Sequence, residues 1–131
     1  MKGPIIVIDA DKRTCGSMCN ILQEHQFLGI PSDSLANIEN LIEKHSCRAV
    51  ILDLDTVPVD NRQFRDLKRK CPDLFIMALS LGPFHPELKE ALATYIYACL
   101  CKPIDPDELI YWVRSIFCNA RTSENGSVKN K

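Results

Sequence analysis

The chain lacks any apolar run long enough to leave water. Ile5-Ile6-Val7-Ile8 is typical of its hydrophobic stretches, far below the roughly 18 residues that a membrane span needs. The same run, directly after Met1-Lys2-Gly3-Pro4, is also too short for the hydrophobic segment of a secretion signal. The expected setting is the cytoplasm, with no membrane partner. A surplus of charge is missing too: 16 Lys and Arg stand against 17 Asp and Glu, a net charge of -1. Nucleic-acid binders normally carry a basic excess, so direct nucleic-acid binding is not expected. The 7 cysteines are scattered, with no CxxC pair and no histidine at finger-like spacing. That argues against a zinc or redox centre and for free thiols, mostly acting as small apolar side chains in a reducing compartment. No internal repeat is visible, and 131 residues suit one domain rather than two.

What is present is an alternation of apolar runs and helical patterns. Ile5 to Ile8, Ala49-Val50-Ile51-Leu52 and Leu74 to Leu79 are continuous apolar stretches of the kind found in strands buried on both faces. Leu28-Gly29-Ile30-Pro31 reads as a weak edge strand, and Tyr95 to Leu100 as a fifth strand. Between them lie helical periodicities: Cys15, Met18, Cys19 and Leu22; Leu35, Ile38, Leu41 and Ile42 with Ser34 as cap; and Phe64, Leu67 and Cys71. Pro86 opens a fourth helix carrying Leu88, Ala91 and Leu92. The last helix has Asp105 at its cap, Pro106 at its first position and Glu108 placed for a capping box. Leu109, Trp112, Val113, Ile116 and Phe117 form its apolar stripe. A βα repeat of this kind predicts an α/β fold, a doubly wound five-stranded parallel sheet with helices on both faces. Residues 1–120 form the domain, and the polar segment 121–131 is expected to be a disordered tail.

Ligands of such sheets bind beyond the carboxyl ends of the strands, and there the sequence concentrates its chemistry. The first strand ends in Asp9-Ala10-Asp11, the third in Asp53-Leu54-Asp55, the fourth in Ser80 and the fifth in Lys102-Pro103. Each alone is usually a turn or cap residue. Together they supply carboxylates, an ammonium and a hydroxyl, with oxygen ligands suited to Mg2+. Those are parts required to take up and hold a phosphoryl group.

This pattern resembles the receiver domains of bacterial two-component response regulators, the chemotaxis-regulator-like (flavodoxin-like) fold with strand order 2-1-3-4-5. The resemblance covers about residues 4–120 and rests on Ile5 to Asp9, Val50-Ile51-Leu52-Asp53, Ile76-Met77-Ala78-Leu79-Ser80 and Leu100-Cys101-Lys102-Pro103. It implies that Asp53 is the phosphoacceptor, that Ser80 and Lys102 bind the phosphoryl group, and that Asp9 and Asp53 bind Mg2+, with Asp11 and Asp55 as further candidates. It also implies a cis Lys102-Pro103 bond. The implied partners are a sensor histidine kinase or phosphotransfer protein and an output protein. A homodimer through the helix 4–strand 5–helix 5 face is a further expectation. No enzymatic activity is implied beyond self-catalysed phosphoryl transfer and slow autodephosphorylation.

Three departures from the family pattern set expectations of their own. Ala10 stands where the second residue of the acidic pair belongs, so magnesium should bind more weakly than usual. Cys99 occupies the switch position normally held by an aromatic. Pro58 follows Asp53 one residue late, which makes Asp55 a rival acceptor, although the apolar run stops at Asp53. Ala10 and Cys99 motivate an alternative, a non-phosphorylated pseudo-receiver acting as a docking module. A phosphatase would need a cap for which the chain has no spare length. A flavin carrier would need a less acidic loop after strand one. His25, His45 and His85 are expected to be solvated surface residues.

Overall fold

The computed structural model of the protein describes residues 2–82 and 85–125. Five parallel strands form one sheet: β1 (Lys2–Ile8), β2 (Phe27–Ser32), β3 (Ala49–Asp53), β4 (Phe75–Ser80) and β5 (Ala98–Cys101), in the order β2-β1-β3-β4-β5. The helices α1 (Lys12–Glu24), α2 (Ile38–His45), α3 (Asn61–Lys70), α4 (Lys89–Thr94) and α5 (Pro106–Asn125) connect and cover it.

The continuous apolar runs follow from burial on both sides, because successive side chains of a strand point to opposite faces. Ile5 and Val7 of β1 pack with Met18 and Leu22 of α1 and Leu109, Val113 and Ile116 of α5. Ile6 and Ile8 pack on the other face with Ile38 and Ile42 of α2, Phe64 and Leu67 of α3 and Ala91 of α4. Each fully buried aliphatic side chain contributes about 1.5–3 kcal/mol relative to exposure. α1 also lies close on the edge strand β2. A Cβ added at Gly29 would meet the Cys19 backbone and side chain at 3.0–3.1 Å, so glycine there permits the approach.

Several boundaries differ from expectation, each for a local reason. Ser34 does not cap α2. Its hydroxyl accepts the Ala36 N–H at 3.2 Å, a short turn that delays the helix until Asn37, whose φ of 62° marks the entry. β5 begins at Ala98 rather than Tyr95, because the Tyr95 and Ile96 N–H groups both bond the Ala91 carbonyl at 2.8 Å and close α4. A 3-10 turn, Pro86–Leu88, precedes α4. α5 runs through Asn125, past the Arg121 boundary expected for the tail, since an established helix adds residues far more readily than it nucleates. Residues 126–131 lie outside the described residues. Among the described residues no helix is long and apolar enough to cross a membrane.

Candidate functional site

Parallel strands place their carboxyl ends on one rim, and the register sets the spacing there. Ile8 pairs with Leu52, Asp53 with Leu79, and Ser80 with Cys101. Among the described residues, Asp9, Asp53 and Ser80, which lie at the ends of β1, β3 and β4, are the buried polar side chains, at 3%, 1% and 1% exposure. Lys102 follows β5, and its backbone N–H bonds the Ser80 carbonyl at 2.8 Å.

The side chains meet. Lys102 Nζ lies 2.6 Å from Asp53 Oδ1 and 3.0 Å from Asp55 Oδ2. Burial opposes the charge on Lys102, but the hydrogen bonds and charges of Asp53 and Asp55 outweigh it and hold the ammonium above its ordinary range. Asp55 does not reach this position along the strand, because β3 ends at Asp53 and the chain turns, with Val57 N–H bonding the Asp53 carbonyl at 3.2 Å. From that turn the Asp55 carboxylate accepts the Leu81 N–H at 2.8 Å.

On the other side of Asp53 stands a residue that the sequence reading missed. Thr56 Oγ1 lies 3.0 Å from Asp9 Oδ1 and 3.0 Å from Asp53 Oδ2, and it accepts the Ala10 N–H at 3.1 Å. One hydroxyl carries one proton, so it can donate to only one of the two carboxylates. Burial raises the Asp9 carboxyl above its usual range, against the hydrogen bonds from the Asp11 N–H and Thr56 and the charge of Lys102, while the charge of Asp53 adds to the rise. The signal for Thr56 was its place three residues after Asp53, within reach once the chain turns.

The remaining candidates are placed as follows. Asp11 is the N-cap of α1; its carboxylate accepts the Arg13 and Thr14 N–H groups at 3.0 and 3.4 Å, bonds that lower its pKa. The Ser80 hydroxyl is engaged by its own loop. It donates to the Gly82 carbonyl at 2.6 Å and contacts His85 Nε2, which lies 3.0 Å from the same carbonyl. His85 is thus no solvated surface residue: its side chain is 17% exposed and engages the site. Spacing gave no warning, because His85 lies beyond the end of β4 rather than on a strand. His25 and His45 are half-buried on or beside helices, and His25 Nδ1 bonds the Ile21 carbonyl.

Cys99 and Cys101 are exposed on β5. The nearby aromatics are committed elsewhere. Tyr97 bonds Ser115 at 2.8 Å and packs edge-on against Phe75 and Trp112, and Tyr95 bonds Glu90. The Lys102–Pro103 peptide is cis.

Magnesium commonly takes one or two carboxylates plus water and phosphate oxygens. Asp9 and Asp53, two buried carboxylates joined by one hydroxyl, fit that minimum. Among the described residues no group of three or more His, Cys, Asp or Glu side chains is placed to bind a metal.

The decisive comparison is with solved structures. A response regulator receiver domain from Clostridium thermocellum superposes with a TM-score of 0.76 at 17% identity, covering 92% of this chain and 98% of that one. The protein has the receiver-domain fold. A CheY-like receiver domain from Methanospirillum hungatei gives 0.76 at 14% identity over 88% of this chain and 93% of that one. NtrX from Brucella abortus gives 0.80 at 19% identity over 95% of this chain but only 28% of that longer protein. No protein-family model and no curated protein matches the sequence.

Proposed function

We propose that this receiver-fold protein is a signalling switch that accepts a phosphoryl group on Asp53 and passes the signal on by protein–protein contact. The observation that carries this reading is the 2.6 Å pair between Lys102 Nζ and the nearly fully buried Asp53 carboxylate at the carboxyl rim of the sheet. The expected donor is the phosphohistidine of a sensor kinase or phosphotransfer protein. An oxygen lone pair of Asp53 forms the O–P bond while the P–N bond breaks. The imidazole nitrogen departs with the electron pair and takes up a proton. Lys102 neutralises charge on the phosphoryl oxygens. Bound Mg2+, held by Asp9 and Asp53, would add positive charge at the same oxygens.

The Ser80 hydroxyl supplies the moving part. To reach the phosphoryl group it must leave the Gly82 carbonyl and His85, and the added charge of roughly -1.5 to -2 favours that rotation. The output surface of this reading comprises α4, β5 and α5, where Cys99, Tyr111 and Arg114 are exposed.

A second reading, a docking module that is never phosphorylated, is favoured by the Thr56 hydroxyl between Asp9 and Asp53 and by Ala10 beside them. Incubation with Mg2+ and acetyl phosphate, followed by intact-mass measurement, separates the two. The switch gains the mass of one phosphoryl group, and Asp53→Asn gains none. A wild-type protein that stays unmodified under conditions that label an ordinary receiver leaves the docking module as the better account.

A further inference from the structure

Lys102 does not wait with a free ammonium for an incoming anion. Its Nζ is already shared between Asp53 (2.6 Å) and Asp55 (3.0 Å). Asp55 in turn holds a second donor on the rim, the Leu81 N–H at 2.8 Å. That N–H belongs to the residue directly after the buried Ser80, so the Asp55 carboxylate spans the gap between β4 and β5. An anion attached to Asp53 needs the same ammonium and lies beside the same N–H. Asp55 is anchored there, because its backbone N–H bonds Asp53 Oδ1 at 3.2 Å within a turn closed by Val57 N–H on the Asp53 carbonyl.

We infer that Asp55 is a resident anion that occupies the phosphoryl seat beside Asp53, holding Lys102 and the Leu81 N–H until an incoming phosphoryl group displaces it. The inference rests on Asp53 being the phosphoacceptor. Its physical basis is competition. A carboxylate and a phosphoryl group at one ammonium repel each other, and a like charge left in place disfavours entry of the second. Displacement also requires Asp55 to give up one ion pair and one hydrogen bond, and exposure near the rim lets water replace them. The resident carboxylate therefore raises the cost of uptake from every donor, so a small phosphodonor labels the site slowly and a partner that supplies binding energy to move Asp55 is favoured over it.

The test uses the full chain with Mg2+ and beryllium trifluoride, an unreactive stand-in for the phosphoryl group, followed by fluorine NMR. Asp55→Asn keeps an oxygen for the Leu81 N–H but loses the charge, and Asp55→Ala removes both. Both variants should bind the probe roughly tenfold or more tightly than the wild type, and adding Asp53→Asn to either should abolish binding. In the wild type, saturation with the probe should shift the Leu81 amide resonance as its bond to Asp55 breaks, a readout that does not depend on how well the variants fold. Equal or weaker binding by the Asp55 variants, with binding still dependent on Asp53, overturns the resident-anion role and leaves Asp53 as acceptor. Binding by none of the proteins overturns both.

Discussion

β3 and β5 end at the same rim and contribute opposite charges to one ion pair, yet they are built differently. All of β3 is buried, from Ala49 to Asp53, and it lies between β1 and β4 with partners on both sides. β5 is an edge strand in which only Leu100 is buried, with Cys99 and Cys101 facing outward. Asp53 thus stands on the rigid centre of the sheet, and the cation is delivered from its exposed margin. Close packing fixes Asp53, because a strand packed on both faces has no room to shift. Lys102 and the face beside it can respond to a change of charge at modest cost. The proposed switch needs that division: one element that holds Asp53 still and another that reports.

The comparison breaks first where packing differs most. Leu52→Ala, in the centre of β3, should cost about 3–5 kcal/mol in urea unfolding, the range of buried leucine truncations that leave a cavity. If it costs no more than a surface substitution, β3 is not the rigid element. Next comes the pair itself. Lys102→Met leaves Asp53 buried without its cation and should cost about 2–3 kcal/mol near neutral pH, less than a fully buried pair because Lys102 keeps 17% exposure. The penalty should narrow at alkaline pH. A lysine whose folded pKa is raised contributes its stability below its unfolded value of about 10.4, and that contribution is lost as pH rises through the folded value.

Asp9 works in the opposite sense. Its folded pKa is raised, so just above the ordinary carboxylate range the native state binds more protons than the unfolded chain, and stability falls as pH rises through that window. Asp9→Asn removes this liability and should stabilise the protein at neutral pH by about 0.5–2 kcal/mol, as expected when a functional group is held against its own stability. The gain should vanish in acid, which thermal melts across the pH range would show. The smallest effect belongs to β5: Cys99→Ala should change stability by less than about 0.5 kcal/mol. A larger loss would mean that the edge is packed more tightly than its exposure indicates.

The sheet and the rim were legible because their signals are local. Runs such as Ile5 to Ile8 and Val50 to Leu52 announce strands buried on both faces, and in a parallel sheet the residue that ends each run must lie on one rim. The missed features arise from contacts that no local pattern encodes. Thr56, 47 positions from Asp9, reaches it because β1 and β3 are neighbours and the chain turns after Asp53, and His85 meets Ser80 from beyond the end of β4. α2 starts late because Ser34 found a nearer partner than the helix end. β5 is short because the Ala91 carbonyl drew the N–H groups of Tyr95 and Ile96. In each case local hydrogen-bonding groups had more than one possible partner, and tertiary context chose among them.

The most direct test of the account locates the modification. The protein is treated with Mg2+ and acetyl phosphate, the acyl phosphate is trapped by borohydride reduction, and the peptide spanning Leu52 to Asp60 is sequenced by mass spectrometry. The account predicts the reduced residue at position 53 alone. A reduced residue at position 55, or an unreduced peptide under conditions that trap an ordinary receiver, would contradict it.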